Sequence, residues 1–112
     1  MLVEDDPTTA RALRAILERK GFLVAVAATL AEGLAALDAR PHWVILDLML
    51  PDGDGGLVLR RVRDYGLPIR VVVTTGSHDP DRLRLVRALQ PDALLGKPIR
   101  LPELLRHIGL NP

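Results

Sequence analysis

The sequence contains no cysteine, which excludes disulfides, thiolate metal centres and cysteine nucleophiles. Aromatic residues are nearly as scarce. Phe22, Trp43 and Tyr65 are the only three, so a core must be built from aliphatic side chains. Long hydrophobic runs are missing too. The longest uncharged stretch, residues 21–31, is too short to cross a bilayer and has no signal-peptide character, so a cytoplasmic protein without membrane contact is expected. Neither sign of charge dominates: the formal net charge is +1. The arginines are scattered without interleaved aromatics, which argues against nucleic acid as a direct partner. A chain of 112 residues can bury one core but not two, so a single domain over residues 1–112 is expected.

What is present is a regular alternation of short apolar runs and amphipathic segments. Met1-Leu2-Val3 reads as a strand and runs into Glu4-Asp5-Asp6. Asp6-Pro7 is a cap followed by proline at the first helical position, and Ala10, Leu13, Ile16 and Leu17 repeat at helical spacing up to Gly21. Phe22 to Ala27 reads as a second strand. Thr29 and Glu32 form a capping box for a second helix, and Trp43 to Asp47 is a third strand. A third helix carries Val58, Leu59 and Val62 and closes at Tyr65-Gly66. Ile69 to Thr75 is a fourth strand, and Asp79-Pro80 repeats the cap-and-proline start for a helix with Leu83, Val86 and Leu89 inward. Ala93 to Leu95 is a short fifth strand, and a last helix begins near Pro102. Strands and helices in strict alternation predict an α/β domain: a doubly wound, five-stranded parallel sheet with five helices on its two faces.

In such a sheet the residues just after each strand gather along one edge, where ligands bind. That edge would collect Glu4, Asp5 and Asp6, then Asp47, then Thr75, then Lys97. Asp47 stands out, because Val44-Ile45-Leu46 runs straight into it and a Pro/Gly/Asp turn follows. Charged side chains are rarely buried, so Asp47 is expected at the solvent edge of its strand. Carboxylate oxygens with no histidine or cysteine beside them favour Mg²⁺ or a similar hard ion. His42, His78 and His107 lie on separate segments and offer no shared metal site. A lone lysine facing carboxylates suits an anion such as phosphate bound among them, and a carboxylate is itself a nucleophile toward phosphoryl groups.

Taken in order, these motifs resemble the receiver domain of two-component response regulators, over essentially the whole chain. The acidic pair follows the first strand as Val3-Glu4-Asp5, and the phospho-acceptor motif stands as Asp47-Leu48-Met49-Leu50-Pro51-Asp52-Gly53-Asp54-Gly55. The switch hydroxyl appears in Val73-Thr74-Thr75-Gly76, and the Lys-Pro pair is Lys97-Pro98. The resemblance implies a flavodoxin-like fold with strand order 2-1-3-4-5. It implies that Asp47 accepts a phosphoryl group from the phosphohistidine of a sensor histidine kinase or phosphotransfer protein. Glu4, Asp5, Asp47 and the backbone carbonyl of Met49 would hold Mg²⁺, Thr75 would move toward the phosphoryl group, and Lys97 would pair with it. Lys97-Pro98 would be cis. Output would pass to an unknown partner protein or output domain, and the resemblance admits a homodimer through the fourth and fifth helices.

Two features depart from the family's pattern. Leu94 stands three positions before the lysine, where the family usually carries an aromatic switch residue, and Gln90-Pro91-Asp92 replaces a run of small residues. The first alternative reading is therefore a pseudo-receiver that binds partners without being phosphorylated. A second is a haloacid-dehalogenase-type phosphohydrolase. Such enzymes need a second Asp two residues after the first, and Met49 occupies that place. Arg82, Arg84 and Arg87 read as a solvated helix face, and Asp54 as the cap of the third helix.

Overall fold

Where both faces of a parallel sheet are covered, its strands read as continuous apolar runs, and side chains at alternate positions feed opposite faces. The computed structural model describes residues 1–109, so the end of the expected 1–112 domain, residues 110–112, lies outside the described residues. In chain order the elements are β1 (Leu2–Val3), α1 (Pro7–Arg19), β2 (Val26–Ala27), α2 (Leu30–Ala36) with a 3₁₀ turn at Leu37–Ala39, β3 (Trp43–Asp47), β4 (Met49–Leu50), β5 (Gly53–Asp54), α3 (Gly56–Asp64), β6 (Arg70–Thr75), α4 (Pro80–Ala88), β7 (Ala93–Gly96) and α5 (Leu101–His107).

Five strands form one sheet in the order β2-β1-β3-β6-β7, and every pairing in it is parallel. With the β4–β5 hairpin set aside this is the expected order 2-1-3-4-5. Val3, Val44, Leu46, Val71 and Val73 meet Leu30 of α2, Val58, Leu59 and Val62 of α3, and Val86 of α4 in one cluster. Their neighbours Leu2, Ile45, Val72, Ala93 and Leu95 face the other way, onto Ala10 and Leu17 of α1 and Leu104 of α5. The fully buried side chains are all aliphatic, with Phe22 and Trp43 packing against the second cluster from its partly exposed margin.

The helix starts follow their capping residues. Asp6 accepts from the Thr9 amide at 3.3 Å with Pro7 at the first helical position, and Asp79 accepts from the Asp81 amide at 3.1 Å with Pro80 behind it. At α2 half of the expected capping box forms, Thr29 Oγ1 accepting from the Glu32 amide at 3.1 Å, while Glu32 reaches one residue further back and accepts from the Ala28 amide at 3.0 Å.

Three local expectations change. The second strand is shorter than Phe22 to Ala27, because β1 offers ladder partners only to Val26 and Ala27. The turn after Asp47 contains an antiparallel hairpin, Met49 opposite Asp54 and Leu50 opposite Gly53. Gly55, not Asp54, occupies the cap position of α3, although Asp54 Oδ1 still accepts from the Gly56 amide at 2.8 Å.

Candidate functional site

Strand alternation also assembles the site. Glu4 lies two residues beyond Leu2, Asp47 two beyond Ile45, and Lys97 two beyond Leu95; all three reference residues pack on the α1/α5 face. The three side chains therefore leave their strands on the same side of the sheet. Lys97 Nζ sits 3.1 Å from Asp47 Oδ2 and 3.2 Å from Glu4 Oε1. Asp5 stands exposed at the rim, and one oxygen each of Glu4, Asp5 and Asp47 fall within 4.8 Å of one another.

Asp47 is not at the solvent edge, as its charge suggested, but only 5% exposed, and Glu4 beside it is 3% exposed. Burial of a carboxylate is tolerated when its oxygens find partners. Here Asp47 Oδ2 takes the Lys97 ammonium and Oδ1 accepts the Met49 amide at 3.1 Å. Glu4 accepts from Lys97 and, at 3.3 Å, from the Asp6 amide.

Desolvation pushes the Glu4 carboxyl above its ordinary range, and the neighbouring Asp47 pushes it the same way, outweighing the Asp6 amide and Lys97. Burial alone would lower the Lys97 ammonium, yet the Asp47 and Glu4 carboxylates together hold it above its ordinary value. With all three acids ionised, one ammonium leaves two negative charges unbalanced. Oxygen donors only, an excess of two charges and an exposed rim fit a hard divalent cation.

The Thr75 side chain lies beside this group without joining its hydrogen bonds. The Thr75 hydroxyl is buried and accepts from the Ser77 amide at 3.0 Å, while the Thr75 carbonyl accepts from the Lys97 amide at 2.8 Å. Thr74, directly across from Asp47, donates to the Leu46 carbonyl at 3.4 Å. Met49 reaches Asp47 through its backbone amide, and its side chain is 65% exposed. The Lys97-Pro98 peptide is cis.

The turn that follows Asp47 holds contacts that reading along the chain missed. Asp52 Oδ1 and Oδ2 accept from the Leu30 and Ala31 amides at 2.6 and 3.0 Å, capping α2 from a distance. Those two bonds hold the Asp52 carboxyl below its ordinary range. Gly55 packs so closely that a Cβ there would collide with the Asp47 carbonyl. Arg82 is no solvated arginine: one of its terminal nitrogens donates to the Leu48 carbonyl at 3.1 Å and to Asp54 Oδ1 at 3.2 Å. The Asp-Gly-Asp-Gly composition marked a turn, but nothing in it named α2 or α4 as its neighbours.

A family model for the response regulator receiver domain matches residues 1–109. Among curated proteins, the KDP operon transcriptional regulatory protein KdpE of Escherichia coli is 37% identical over 105 residues, covering 93% of this chain and 46% of that protein. The transcriptional regulatory protein DltR of Streptococcus agalactiae is 36% identical over 113 residues, covering 99% of this chain and 50% of that protein. The chain thus spans about half the length of these relatives. Among solved structures, a CheY-like response regulator receiver domain protein from Methanospirillum hungatei superposes with a TM-score of 0.88 at 28% identity, covering 96% of this chain and 86% of that one.

Proposed function

This chain belongs to the response regulator receiver domain family, and on that premise we propose that Asp47 accepts a phosphoryl group from the phosphohistidine of a sensor histidine kinase or phosphotransfer protein. The observation that carries the reading is Lys97 Nζ set between two buried carboxylates, with a third carboxylate at the rim. Three acids and one ammonium leave a net charge of −2, which a divalent ion balances. The ion and the Lys97 ammonium are then both placed to face an anionic phosphoryl group at Asp47.

In this reading an Asp47 oxygen attacks phosphorus, the bond from phosphorus to the kinase imidazole breaks, and its electron pair stays on the imidazole nitrogen. Glu4, Asp5, Asp47 and the Met49 carbonyl would hold Mg²⁺, which when bound supplies positive charge to the phosphoryl oxygens. Lys97 offers its ammonium to one phosphoryl oxygen, and Thr75 its hydroxyl to another once it leaves the Ser77 amide. The domain assists its own phosphorylation and dephosphorylation and is otherwise a signalling module, not a metabolic enzyme. We take residues 1–112 as one such module, acting in the cytoplasm on a partner protein or an output domain, with a homodimer as one form open to it.

Incubation with acetyl phosphate and Mg²⁺, followed by intact-mass measurement, tests this. The wild type should gain one phosphoryl group, and Asp47→Ala should gain none. A folded wild type that stays unmodified would favour the pseudo-receiver instead, and rapid release of free phosphate a hydrolase.

A further inference from the structure

The peptide group between Leu48 and Met49 is engaged at both ends. Its N–H donates to Asp47 Oδ1 at 3.1 Å, and its carbonyl accepts from the Gly55 amide at 2.8 Å and from Arg82 at 3.1 Å. A trans peptide is planar and stiff, so its N–H and C=O cannot reorient independently. The Asp47 carboxylate and the first turn of α4 are therefore joined through one rigid group. We propose that Arg82 is a positioning residue that reads the state of Asp47 through the Leu48–Met49 peptide and carries it to α4.

Three further observations support this role. The arginine contacts both the Leu48 carbonyl and Asp54 through the same nitrogen, so a rotation of the peptide shifts that nitrogen between its two acceptors. Its Nε is buried and has no acceptor among the described residues. A buried, unspent donor marks a side chain that gains by moving once an acceptor comes into reach. Leu94, finally, sits partly buried on β7 opposite Val73 and packs into the aliphatic core as an ordinary core side chain. No aromatic ring is present there to swing, and beside the path from Thr75 through Ser77 to the Asp79 cap, Arg82 supplies a direct side-chain link from the turn after Asp47 to α4.

Phosphorylation supplies the impulse. A phosphoryl group brings a charge of about −1.5 to −2 at neutral pH and three strong acceptor oxygens. With one Asp47 oxygen bonded to phosphorus as an acyl phosphate, the Met49 amide turns to a phosphoryl oxygen. The Leu48 carbonyl turns with it, and Arg82 follows or lets go.

This inference rests on phosphorylation of Asp47, and its test separates the two. Wild type, Arg82→Ala and Arg82→Lys would be treated with acetyl phosphate and Mg²⁺, then followed by intact mass and by amide chemical shifts of residues 80–88. All three should gain one phosphoryl group. The α4 amides should shift on phosphorylation in the wild type and stay near their unphosphorylated positions in Arg82→Ala. Arg82→Lys should restore most of the response, because one bridging nitrogen can be replaced by an ammonium with three donors. A merely structural arginine would shift α4 equally before and after phosphorylation. Full phosphorylation of Arg82→Ala with a wild-type α4 response overturns the coupling alone. A wild type that takes no phosphoryl group overturns the underlying reading and the coupling with it.

Discussion

Replacing Lys97 with methionine removes the only ammonium that contacts Glu4 and Asp47 among the described residues. Methionine keeps most of the length and the apolar stem, so the change isolates charge. Truncating one partner of a buried ion pair costs about 3–5 kcal/mol, because the remaining charge stays buried without compensation. The Lys97 side chain is 32% exposed, so water screens part of that loss. The expected cost at neutral pH without metal is then about 2–3 kcal/mol, or a fall in melting temperature of about 10 °C for a domain of this size.

The pH dependence makes the prediction specific. The folded Glu4 carboxyl already sits above its ordinary range through burial and Asp47. Its favourable contribution is therefore present at low pH and lost as pH rises through the folded value. Without Lys97 that folded value moves further up, so a proton on Glu4 takes over the missing cation's place between the acids. The penalty of Lys97→Met should shrink as pH falls through the raised folded value of Glu4 and be largest above it. Lys97 itself has a raised value, so its benefit is complete below the ordinary 10.5 and lost only as pH rises through the higher folded value. Urea unfolding from pH 5 to 9, with chelator and with Mg²⁺, measures all of this. Magnesium should stabilise the variant more than the wild type, since the emptied pocket is one charge more negative. A penalty below about 0.5 kcal/mol, or one that does not change with pH, would refute the reasoning.

Two further outcomes follow from the same geometry. Gly55→Ala should destabilise the fold by about 1–3 kcal/mol in urea unfolding, because a Cβ would strike the Asp47 carbonyl, which is backbone and cannot rotate away. The phosphorylated protein should lose its phosphoryl group slowly, over far longer than seconds in Mg²⁺, since Met49 presents an exposed thioether two residues past Asp47 and has little capacity to orient an attacking water.

Much of the site was legible because it depends on local rules that act within a few residues. Period-two alternation sends Glu4, Asp47 and Lys97 to one face, and cap-and-proline pairs mark the starts of α1 and α4. The burial of Asp47 was not legible: it depends on an ammonium that lies 50 positions downstream. Asp52 and Arg82 escaped for the same reason. Their partners are 22 and 34 positions away, and a carboxylate in a turn or an arginine on a helix looks alike whether solvated or docked. The length of β2 was misread because an apolar segment becomes strand only where a neighbouring strand offers ladder groups, and β1 offers them to Val26 and Ala27 alone.

The turn after Asp47 is moored to two helices, and the two moorings differ in stiffness. Toward α2, Asp52 uses both oxygens on two separate amides at 2.6 and 3.0 Å, and Gly53 stands with its α-carbon against Leu30, where even a methyl group would crowd the side chain. Rotation about either bond is resisted by the other. Toward α4, a single Arg82 nitrogen serves two acceptors, and the buried Nε of the same guanidinium has no partner among the described residues. A displacement of the Leu48–Met49 peptide therefore meets a rigid contact on one side and a yielding one on the other. If Arg82 couples Asp47 to α4 as proposed, the yielding contact is the one expected to move, directing the change toward α4 and leaving α2 in place.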